Sequence, residues 1–137
     1  MIIADTGAIL ALIDADDSHH DEMIALYDER PDDWVLPWAI LAEVDYLLLT
    51  YVGAATERAF VRDLAAGSYN IEWGRESDIE RARELTDRYR SLRIGLVDAT
   101  VVAVAERLRA PFIATFDLRH FGAIDIKGAP RLLPRDA

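Results

Sequence analysis

Four carboxylates stand where a chain of alternating strands and helices could bring them together: Asp5, Glu43, Asp98 and Asp117. Asp5 ends the apolar run Met1–Ala4 in Asp5-Thr6-Gly7, and Asp117 follows the apolar run that ends at Thr115. Asp98 opens a helix-patterned stretch, Val97–Arg109. Glu43 lies in the first turns of the apolar stretch that Pro37 introduces. Taken singly, Asp5 and Asp117 read more readily as turn residues and Asp98 as a helix cap than as site residues. Glu43 has Ile40, Leu41, Ala42, Val44, Leu47 and Leu48 around it. That setting predicts a buried carboxylate, which needs a cation or a proton. Asp45 shares the stretch but points about 200° away by the helical period, so only one of the two can face a given site. Periodicity leaves the choice between them open.

Carboxylates crowded together repel, and a hard divalent cation relieves that repulsion. Such a cation would activate a water and neutralise charge on a phosphoryl group during transfer. An all-oxygen set selects Mg2+, with Mn2+ as the alternative ion. Zinc would look for thiolates or several imidazoles, and the chain has no cysteine and three histidines. His19 and His20 sit beside acids on a surface-patterned helix and read as solvated side chains. His120, in Arg119-His120-Phe121, has no histidine partner in sequence, and an activated water needs no histidine base, so it stays outside the expected catalytic set. Arg119 reads as a phosphate contact or as half of a surface ion pair. Trp34, Trp38 and Trp73 lie beside strands, where core or dimer packing is favoured over stacking on RNA bases.

These residues need elements to position them. Met1–Ala4, Trp34–Leu36, Tyr69–Trp73, Pro111–Thr115 and Arg131–Leu133 read as strands. Ala8–Ile13, Ser18–Arg30, Pro37–Val52, Ala55–Ala66, a stretch from Ser77 to Leu92 and Val97–Arg109 read as helices, with Asp117–Phe121 a turn or short helix. Gly53 and Gly67 act as helix stops, and Ser77 with Glu80 makes a candidate capping box. The alternation predicts an α/β fold, with a mostly parallel central sheet flanked by helices on both faces. Open sheets of this kind place their chemistry beyond the carboxyl ends of the strands, where Asp5 and Asp117 fall.

The 137 residues, without repeats or an internal linker, are expected to form one domain, 1–137. No segment has the length and apolarity of a membrane span, and the start carries no secretory pattern, so a cytoplasmic protein is expected. The absence of cysteine is compatible with a reducing compartment. A net charge of −10 argues against loose binding to nucleic-acid backbones. Bound cations offset part of that charge. The basic residues are arginines except Lys127, and the guanidinium is the better phosphate ligand.

With these motifs in order, the chain resembles the PIN-domain ribonucleases, and among them the VapC toxins of type II toxin–antitoxin systems. The resemblance runs through Asp5-Thr6-Gly7, Ala42-Glu43, Gly95-Leu96-Val97-Asp98-Ala99 and Thr115-Phe116-Asp117. It covers essentially the whole chain. Any one motif is weak; the four in sequence are specific. The resemblance implies that Asp5, Glu43, Asp98 and Asp117 form an acidic quartet holding one or two magnesium ions. Thr6 and Thr115 would be supporting hydroxyls. It further implies an Mg2+-dependent endoribonuclease cutting structured RNA, such as a tRNA or rRNA loop, to block translation. A homodimer and a cognate antitoxin that covers the site are implied as well.

Two other readings compete. An aspartate-based phosphatase or phospho-acceptor domain would want an aspartate two residues beyond Asp5, where Gly7 stands, or a lysine near the last strands, and Lys127 lies in a late turn. A non-catalytic PIN-like scaffold would bind RNA or protein without cleaving; the intact quartet argues against it.

Overall fold

The computed structural model describes all of residues 1–137. Five short strands, β1 (Ile2–Ala4), β2 (Trp34–Pro37), β3 (Asn70–Glu72), β4 (Phe112–Ala114) and β5 (Arg131–Leu133), form one sheet in the order β3-β2-β1-β4-β5. Every pairing is parallel. β1 and β2 are buried along their whole length, as expected of strands covered on both faces. Seven helices surround them: α1 (Thr6–Ile13), α2 (His20–Glu29), α3 (Trp38–Leu47), α4 (Ala54–Ala65), α5 (Glu76–Arg88), α6 (Leu96–Leu108) and α7 (Leu118–Phe121). The first two crossovers step one way along the sheet and the third steps back across it. With right-handed connections this puts helices on both faces.

The expected elements are present, with shifts at their ends. The helix after β2 stops at Leu47 and continues as one π-helical turn, Leu48–Val52, up to Gly53, whose φ is 148°. The start of α5 differs from the expected capping box: the backbone N–H of Arg75 donates to Asp78 at 2.9 Å, so Ser77 and Glu80 are not the capping pair. Asp78 is buried because Arg107 of α6 reaches it, with Nε and Nη2 donating at 2.8 and 2.9 Å. Arg107 also donates to Glu72 at 2.6 Å, and Arg81 of α5 donates to Glu106 of α6 at 2.7 Å. These charged bridges pin α6 against α5 and the third strand. Between them, Ala99 to Ala105 of α6 is buried without a break. The position of the first turn of α6, which carries Asp98, is therefore set by packing on one side and ion pairs on the other.

Candidate metal centre

β1 and β4 pair at the middle of the sheet, and the chain order reverses around β1. The crevice at their carboxyl ends is the topological switch point, where α/β sheets bind ligands. Asp5 enters it directly from β1. Its Oδ1 accepts the backbone N–H of Thr6 at 2.8 Å and its Oδ2 the hydroxyl of Thr115 at 2.9 Å. Its own N–H donates to the Ala114 carbonyl at 2.9 Å. Thr115 Oγ1 in turn accepts the N–H of Asp117 at 3.0 Å. One hydroxyl thus ties the segments after β1 and β4 together.

Asp117 caps α7 and accepts the N–H of His120 at 3.1 Å. The His120 ring then folds back over it. Nδ1 lies 2.7 Å from Asp98 Oδ2 and 3.0 Å from Asp117 Oδ2. Ligating atoms of Asp98, Asp117 and His120 lie within 4.8 Å of one another. Glu43 is exposed on α3, not buried as its apolar neighbours suggested: Ile40, Val44 and Leu48 turn into the core while Ala42 and Glu43 face outward. Its charge is still felt at Asp98. Asp45 points away toward α4, where its carboxylate stands by that of Glu57 and raises the latter's pKa.

The electrostatics record this crowding. Burial, then the charge of Asp98 and, more weakly, of Asp117, push the Asp5 carboxyl up to about 7, against the pull of the Thr115 and Thr6 hydrogen bonds. Burial, then Asp117 and Glu43, raise Asp98, and the His120 contact opposes them. The same contact with Asp98, with further help from Asp117, raises His120 against its partial burial. The pocket is short of positive charge. Hard oxygen donors, mutual repulsion and a buried Thr6 hydroxyl with no protein partner all fit a hydrated divalent cation.

A model of the PIN domain matches residues 2–127. Over 130 residues the chain is 37% identical to Ribonuclease VapC26 of Mycobacterium tuberculosis, covering 95% of this chain and 96% of that one. The chain belongs to the VapC branch of the PIN-domain family. Its fold matches the crystal structure of the M. tuberculosis toxin VapC20 with a TM-score of 0.83 at 24% identity, covering 96% of this chain and all of the other. It also matches VapBC2 of Rickettsia felis, bound to a DNA fragment from its promoter, with a TM-score of 0.69 at 16% identity over 96% and 97% of the two chains.

Around the crevice of this VapC-family chain the remaining candidates separate. Arg119 is exposed on α7. His19 is exposed but stacks on Phe116 with ring centroids 4.0 Å apart, and His20 is half-buried with Nδ1 2.7 Å from the Ala11 carbonyl, so neither is a freely solvated side chain. Trp34 is core and Trp38 half-buried, whereas Trp73 is exposed. His120 is the residue that sequence reasoning set aside. Its signal was present in the spacing: Asp117 and His120 are three apart across a helical turn, which places both side chains on one face.

Proposed function

We propose that this chain, a ribonuclease by family, is the toxin of a type II toxin–antitoxin pair, with residues 1–137 acting as one PIN domain that hydrolyses structured RNA with Mg2+. The observation that supports the reading is the meeting of Asp98 and Asp117 at His120, with Asp5 tied to the same segment through Thr115; Glu43 adds its charge from α3. Asp98 and Asp117 would hold the ion from one side, Asp5 from the floor, and Glu43 would grip a coordinated water. The ion supplies Lewis-acid stabilisation of the phosphoryl group and an acidified water. Thr115 holds Asp5 in place, and the Thr6 hydroxyl, unpartnered by protein, would meet a water of the hydrated ion. Arg119, exposed one residue before His120, steers the RNA backbone toward the crevice.

Net charge of −10 leaves little general attraction for RNA, so recognition rests on the shape of a structured element such as a tRNA or rRNA loop. The partner reading draws on Tyr46, Leu49 and Tyr51, which expose apolar surface along α3 and the turn after it. Such a patch is suited to a second copy or an antitoxin. An arginine of a cognate antitoxin would suit the acidic crevice. No helix is long and apolar enough to cross a membrane, and a role in blocking translation fits a cytoplasmic protein.

The test is cleavage of a structured RNA by purified protein in Mg2+, with end analysis. A water nucleophile leaves a 5′-phosphate and a 3′-hydroxyl, and Asp98→Asn abolishes the cut. A 2′,3′-cyclic phosphate product, or full activity in Asp98→Asn, would sink the reading.

A further inference from the structure

We propose that His120 is a direct ligand of the bound ion, through Nδ1 and alongside Asp98 and Asp117, and that it tilts the site toward Mn2+ over Mg2+. The inference rests on the metal-nuclease reading and adds a nitrogen to a site expected to be all oxygen.

Two features of the ring carry it. Nδ1 lies 2.7 Å from Asp98 Oδ2 and 3.0 Å from Asp117 Oδ2, and the three residues' ligating atoms fall within 4.8 Å of one another. A cation held by the two carboxylates therefore has this nitrogen beside it, and would take the place of any proton that Nδ1 shares with them. Second, the ring is held by the chain: Asp117 accepts the His120 backbone N–H at 3.1 Å, so residue and carboxylate move together at the start of α7.

Chemistry then separates two roles. A histidine that only neutralises the acids would leave when a cation arrives, and the site would discriminate between ions as an oxygen site does. An imidazole inside the coordination shell favours the transition ion over Mg2+, which prefers oxygen ligands and water.

The experiment measures Mn2+ and Mg2+ affinity by calorimetry for wild type, His120→Asn and His120→Ala, with circular dichroism confirming the fold. The readout is the Mn2+/Mg2+ affinity ratio, because removing a basic residue raises affinity for both ions alike. The ratio is expected to fall about tenfold in both variants, in line with losses at altered metal sites. Pulsed electron paramagnetic resonance of the Mn2+-loaded wild type, which needs no variant, is expected to show nitrogen hyperfine modulation that His120→Asn lacks. An unchanged ratio, or no nitrogen modulation in wild type, overturns the assignment of His120 while leaving the metal-nuclease reading intact. Wild type that binds neither ion and leaves RNA uncut overturns both.

Discussion

The hydroxyl of Thr115 donates to the carboxylate of Asp5 at 2.9 Å, joining two residues that stand 110 positions apart in the chain. Both are buried, and the same hydroxyl accepts the Asp117 N–H. A single side chain thus spaces two of the acids in the crevice. Thr115→Val keeps the shape and removes this link. RNA cleavage and Mg2+ affinity should fall about 10- to 100-fold, with a stability change of about 1 kcal/mol. Calorimetry and chemical denaturation check the two halves. Wild-type Mg2+ affinity in the variant would show that the Asp5 carboxylate positions itself.

How much of this was legible beforehand depended on distance in the chain. The strands and helices were readable because apolar periodicity is local. Asp5, Asp98 and Asp117 were readable because each follows a strand or opens a helix, and the α/β pattern says where those ends meet. Thr115 to Asp5 is a contact that no local pattern encodes. Glu43 was placed in the core because neighbouring letters are apolar, yet exposure depends on which way the helix is rolled against the sheet. His120 was missed because it was weighed as a lone base, when its partners sit on two different helices.

The two acids of α3 offer a direct contrast. Glu43 acts on Asp98, whereas Asp45 faces Glu57 of α4 and keeps a buried oxygen without a partner. Glu43→Gln should cut activity at least about 10-fold while leaving the melting temperature near that of wild type. Asp45→Asn should leave cleavage intact and raise the melting temperature slightly as carboxylate repulsion against Glu57 eases. Cleavage assays and thermal melts on both variants decide it. Loss of cleavage in Asp45→Asn alone would mean that the helix is rolled the other way.

Arg107 tests whether the α5–α6 clamp is structural. Burial works against ionisation of Asp78, and the Arg107 contact outweighs it, holding the carboxyl below its usual range. Arg107→Met would leave Asp78 buried without its cation, at a cost of about 2–4 kcal/mol. The double variant Arg107→Met, Asp78→Leu should recover part of that loss, because two apolar side chains replace the pair while the Arg75 N–H loses its cap. Denaturant titrations of the three proteins measure the coupling. Equal stability of wild type and Arg107→Met would show that the bridge contributes nothing.

Asp5 gives the metal-free protein an unusual response to pH. Its carboxyl titrates at about 7 in the folded chain against 3.8 ordinarily, chiefly through burial and then the charge of Asp98. Between these values the folded state holds a proton that the unfolded state has released. Stability in EDTA should therefore fall as pH rises from about 4 to 7, by up to about 4 kcal/mol for this group alone. Asp98 and His120, also raised, add to the slope in the same direction, His120 from its ordinary 6.5 upward. Asp136 is held down at about 2 by its Arg135 contact, so its contribution rises with pH only below about 4, outside this window. Asp5→Asn cannot ionise and should lose most of the decline, leaving the part due to Asp98 and His120. Added Mg2+ at pH 7.5 should restore stability to wild type, since the ion binds the ionised native site and not the unfolded chain, and should restore far less to Asp5→Asn. Denaturation midpoints across pH 4–8, with EDTA and with Mg2+, measure all three effects. A wild-type stability that climbs through this window, or a slope that Asp5→Asn leaves unchanged, would mean that Asp5 is ionised and already balanced in the metal-free fold. The crowding of carboxylates would then no longer be a reason for the crevice to bind a cation.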